Sequence, residues 1–102
     1  MTRMRSIFLE GIETRELALK ALDAEFPDGG ASGATVLSPD GRETVGWLYV
    51  GEPDDPDDQQ GPFLIQADYS GRFLDYDAKE IVRSALLRVQ ARAGGEIKDY
   101  GD

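Results

Sequence analysis

Short runs of alternating or face-periodic apolar residues recur along the chain, separated by segments rich in glycine, proline and acids. Residues 4–10 (MRSIFLE) set Ile7 and Leu9 in rough alternation with Ser6, Phe8 and Glu10, which predicts a first strand. Residues 14–26 predict a helix. Thr14 is the candidate N-cap, and Glu16 lies near the positive end of the helix dipole. Leu19, Leu22 and Phe26 fall on one face, and Leu17, Ala21 and Ala24 form a second strip nearly opposite. Pro27, Asp28, Gly29 and Gly30 stop this helix.

Residues 34–38 and 43–50 predict the two strands of a hairpin turned by Pro39, Asp40 and Gly41. In the second strand, Val45, Trp47 and Tyr49 alternate with Leu48 and Val50, so both faces are apolar and an interior place in the sheet follows. Gly46 marks a bulge or a close approach of another backbone. Residues 63–69 alternate cleanly: Phe63, Ile65 and Ala67 point one way, Gln66 and Asp68 the other. Residues 78–93 predict a second helix, opened by the Asp77/Glu80 pair and closed by Gly94 and Gly95. Its apolar face is Val82, Ala85, Leu86, Val89 and Ala93. Residues 96–100 add a short edge strand.

The order β-α-β-β-β-α, with a final β, predicts an α+β fold. A mainly antiparallel sheet with two helices packed on one face is the simplest way to bury these faces, in one small domain over residues 1–102.

Composition narrows the chemistry. The chain lacks cysteine and histidine, so thiolate chemistry, cysteine or histidine metal ligation and imidazole proton transfer are excluded. No apolar run is long enough to span a bilayer, and the run at Ile7–Leu9 is too short for a signal-peptide core. A cytoplasmic protein without a membrane partner is expected. The net charge of −9 would repel phosphate backbones, so no nucleic-acid partner is expected; a basic protein would be attracted. The acidity also fits simple solubility, or adaptation to a salty cytoplasm, since arginine outnumbers lysine eight to three.

The charge is uneven. Residues 1–51 carry −3 (eight acids, five bases), residues 52–77 carry −7 (eight acids, one base), and residues 78–102 carry +1 (four acids, five bases). The loop Glu52, Asp54, Asp55, Asp57, Asp58 is stiffened by Pro53 and Pro56, so its acids are presented; it reads either as a solvated loop without a role or as a docking site for a basic partner. It does not have the order of a calcium loop: Gln60 stands where the sixth-place glycine belongs, and the closing glutamate is missing. No metal or cofactor is expected. The run Asp28-Gly29-Gly30-Ala31-Ser32-Gly33 follows a helix and precedes a strand, the reverse of a phosphate loop.

Three functional readings follow. The first is a non-enzymatic acidic protein-binding module. Its candidate contacts are Glu52, Asp54, Asp55, Asp57 and Asp58, with Asp68, Tyr69, Asp75 and Tyr76 around the following turn. In bulk size and acidity the chain resembles bacterial immunity and antitoxin proteins, which neutralise often basic toxins, and that resemblance implies an inhibitor of a basic protein. The second is a self-associating structural or regulatory subunit, a possible homodimer, using the outer helix faces at Leu17, Ala21, Ser84, Leu87 and Ala91. The third is a small ligand-binding or carboxylate-based enzyme domain using Asp68, Asp75 and Asp77 with Tyr69, although no catalytic signature is present.

Overall fold

The computed structural model describes residues 4–27, 33–53, 57, 59–70 and 77–100. Five strands form one antiparallel sheet in the order β2-β3-β4-β1-β5: β1 (Met4–Ile12), β2 (Gly33–Leu37), β3 (Thr44–Gly51), β4 (Phe63–Ser70) and β5 (Glu96–Lys98). Helices α1 (Arg15–Glu25) and α2 (Ala78–Ala93) complete an α+β domain whose element order is the one expected.

Local chemistry sets the element ends. The Thr14 hydroxyl accepts the Leu17 N–H at 3.1 Å, and the Asp77 carboxylate accepts the Glu80 N–H at 3.1 Å, so each helix opens on a capped turn. Gly94 ends α2 with φ 77° and donates its N–H to the Gln90 carbonyl at 2.9 Å. The hairpin turn is closed by Gly41 N–H to the Ser38 carbonyl and Ser38 N–H to the Glu43 carbonyl, both 2.8 Å. Asp40 braces it by accepting the Ser38 hydroxyl at 2.5 Å and the Arg42 N–H at 3.0 Å.

The core lies between the helices and one sheet face. Ile7 and Leu9 of β1, Leu48 of β3 and Ile65 and Ala67 of β4 meet Val82, Leu86 and Val89 of α2 there. The inward set of α2 is the one its periodicity predicts, extended to Ala78.

Two facings differ from expectation. In α1 the buried residues are Ala18, Ala21 and Leu22. At 100° per residue this strip bisects the two apolar strips read from the pattern, so Ala21 faces the core and not the outside. Two alanines let the helix approach the sheet closely, which a leucine strip would prevent. In β3 the pairing slips from Val36↔Gly46 to Leu37↔Thr44. Val45 is the extra residue of this bulge; it is buried in the core instead of lying on the face of Trp47 and Tyr49. Gly46 therefore marks both a bulge and a close approach, since a Cβ there would sit 2.6 Å from the Asp68 carbonyl oxygen. Among the described residues, no helix is long and apolar enough to cross a membrane.

Candidate functional site

Both helices cover one side of the sheet, which leaves the other side to loops and solvent. Cross-strand partners share a face, so the pairing register identifies the residues of the helix-free side. One row runs Thr35–Trp47–Asp68–Ser6, and the next runs Tyr49–Gln66–Phe8–Lys98. Trp47 remains 36% exposed, a large aromatic surface left in water on an interior strand.

Beside it is a polar network built from three strands. Asp68 Oδ1 accepts the Ser6 hydroxyl at 2.5 Å and Gln66 Nε2 at 2.8 Å, and Oδ2 accepts the Tyr49 hydroxyl at 2.7 Å. Gln66 Nε2 also lies 3.3 Å from Ser6 Oγ. The three groups that donate to Asp68 among the described residues are uncharged. The Asp68 carboxylate is half-buried and fixed in place, and no cation among the described residues pairs with it.

A second cluster lies toward the β5 edge. Glu10 is fully buried although it belongs to the helix-free side. Its Oε1 accepts the Gln60 N–H at 2.9 Å, and its Oε2 accepts the Tyr100 hydroxyl. Gly11 N–H donates back to the Gln60 carbonyl at 3.2 Å, so the β3–β4 connection is pinned to the end of β1. Phe8 and Tyr100 stack edge to face with centroids 5.7 Å apart. A shallow, open depression of ≈ 640 Å³ borders this latch, lined by Glu10, Gly11, Asp57, Gln59, Gln60, Gly61 and Lys98. Among the described residues its lining is mostly polar and its mouth opens to solvent.

Among the described residues, those expected to meet a partner do not all lie on one surface. Glu52 and Asp57 are exposed in the β3–β4 connection. Asp54, Asp55, Asp58, Asp75 and Tyr76 lie outside the described residues, as do most of the glycine run 28–33 and the turn 71–76. Tyr69 is 5% exposed and belongs to the core, because consecutive strand residues face opposite sides; it does not share a surface with Asp68. The grouping of Asp68, Asp77 and Tyr69 as one site is therefore corrected. Asp77 caps α2, whereas Asp68 projects from the sheet face that the helices leave uncovered. Of the outer-helix set, Leu17, Ser84, Leu87 and Ala91 are exposed and Ala21 is buried. Among the described residues, no group of three or more acidic side chains is placed to hold a metal ion.

What sequence reading missed is Trp47 as a surface residue and Glu10 as a buried one. The alternation of β3 carries a signal for the first, since Trp47 and Tyr49 oppose Leu48 and Val50. The second depends on residues 50 and 90 positions away, and the pattern around Glu10 carries no trace of them. No protein-family model matches the chain, and no curated protein matches its sequence.

Proposed function

We propose that this chain is a non-enzymatic protein-binding domain that engages a basic protein, and that it acts as an inhibitor in the manner of small immunity or antitoxin proteins. One observation carries this reading: an exposed tryptophan stands beside a fixed carboxylate on the helix-free side of the sheet of an acidic chain. Aromatic surface is what interface centres use, and the surrounding charge steers an oppositely charged partner. Exposed Glu52 and Asp57 extend the negative field at the end of the sheet where β3 leaves and β4 enters.

The test begins with capture from the source lysate at low and high salt. The captured protein is then purified and the complex rebuilt. A basic protein that forms a stoichiometric complex is expected, weakened by salt and by Trp47→Ala. Weakening by the joint change of Asp54, Asp55, Asp57 and Asp58 to asparagine would assign the loop its share. A rebuilt complex indifferent to salt, to Trp47→Ala and to the loop change would overturn the reading, as would recovery of this chain alone.

A further inference from the structure

Accepting that reading, we infer that Trp47 and Asp68 form a seat for a guanidinium group, so that the basic partner is recognised through an arginine side chain and not through positive charge in general. The two residues are directly paired across β3 and β4. Their Cβ atoms are thus about 4.5–5.5 Å apart on one face. A cation lying on the indole would lie within reach of the carboxylate.

The carboxylate is prepared for such a group. It offers about four acceptor positions, two on each oxygen. Ser6 and Gln66 use Oδ1, and Tyr49 uses one side of Oδ2. Among the described residues, one acceptor position on Oδ2 remains. Ion pairs among the described residues join Lys20 to Glu16, Lys79 to Asp99, Arg88 and Arg92 to Glu25, and Lys98 to Glu96, and none of these involves Asp68. Asp68 is thus held by neutral donors from three strands, with its charge uncompensated by any cation among the described residues. Its partial burial reduces screening by water, so it attracts a cation more strongly than a freely solvated acid would.

The geometry favours arginine over lysine. A guanidinium is planar, stacks on an indole and still points an N–H at an oxygen beside the ring. An ammonium is more strongly hydrated and has no plane to stack. Charge complementarity names the occupant's sign, since the chain carries −9. The aromatic platform beside a nearly satisfied carboxylate names its shape.

Trp47 is the only tryptophan of the chain, so its fluorescence reports on this site alone. Purified protein would be titrated at low salt with hexa-arginine and with hexa-lysine. Saturable change with hexa-arginine is expected, at an affinity about three- to fivefold above that for hexa-lysine. Asp68→Asn should weaken hexa-arginine by about tenfold or more and bring the two peptides together. Trp47→Leu, followed by calorimetry, should remove the preference while leaving residual salt-sensitive binding; circular dichroism checks that each variant is folded. Equal affinity for the two peptides, unchanged by Asp68→Asn, would overturn the guanidinium seat and leave the electrostatic reading standing. Failure of both peptides to bind would overturn both readings.

Discussion

A Cβ placed on Gly46 would come within 2.3 Å of Val82 Cγ2, so β3 and α2 meet where only a hydrogen fits. The same position lies 2.6 Å from the Asp68 carbonyl oxygen, a backbone atom that cannot rotate away. Gly46→Ala should therefore overpack the core and cost about 1–3 kcal/mol or more. In a domain this size that lowers the melting midpoint by at least about 5 °C. Adding Val82→Ala should not restore the wild-type midpoint, because the carbonyl clash persists. Calorimetry on the single and double variants checks both statements; an unchanged midpoint in Gly46→Ala would contradict the packing described.

The latch at Glu10 makes a different prediction. Both of its carboxylate oxygens accept, one from Gln60 N–H and one from Tyr100. A glutamine has one acceptor oxygen, so its amide must turn a donor toward one of these donors. Glu10→Gln should cost about 1–3 kcal/mol. In a Tyr100→Phe background the amide can face the vacated side, and the cost should shrink. Urea unfolding of the four proteins gives the coupling directly. Strictly additive losses would show that the two donors do not share the carboxylate in solution.

The local parts of this fold were legible because their causes are local. Asp77 caps the helix it precedes, Gly94 takes the φ of 77° that ends it, and β4 alternates because one side of it is core. Legibility stopped where a pairing decides the facing. Val45 turns inward because β3 slips against β2 at Gly46; the glycine signals a bulge there, but not that Val45 leaves the face of Trp47 and Tyr49. Adjacency in sequence groups Tyr69 with Asp68, but strand geometry sends them to opposite sides. The pairing of Trp47 with Asp68 joins residues of two strands and needed the register of the sheet.

Acid should loosen the contact between the helix ends. Glu25 accepts Arg92 Nε at 2.7 Å and Arg88 Nε at 3.1 Å. The Arg92 hydrogen bond is the main reason that its carboxyl titrates below the usual range; lost hydration opposes this, and the two arginine charges and the Arg88 bond reinforce it. A carboxylate depressed in the folded state adds stability above its unfolded pKa, and that stability is lost as pH falls through the folded value. Glu25→Gln should therefore be less stable than wild type at neutral pH. The gap should close on the acid side of the usual carboxylate range and narrow with added salt. Unfolding midpoints of the two proteins across pH give the answer; a gap independent of pH would remove the ion pairs as its cause.

The facing of α1 separates a core position from a surface one, and two substitutions read it. Ala21 is 2% exposed, whereas Leu17 is 39% exposed on the same helix. Ala21→Leu adds bulk where the helix rests on the sheet, and should destabilise by about 1–3 kcal/mol. Leu17→Ala removes bulk from a partly solvated side chain outside the core cluster and improves helix propensity slightly, so its effect should stay within about 0.5 kcal/mol. Leu87, 48% exposed on α2, should behave as Leu17 does. Self-association through Leu17 and Leu87 makes the opposite forecast: either alanine would then lower a concentration-dependent midpoint and shift the elution volume. Thermal melts at two protein concentrations, with size-exclusion chromatography of each variant, decide between a free outer face and a dimer seam. Because Ala21 lies inward, its variant belongs to the core test and says nothing about that seam.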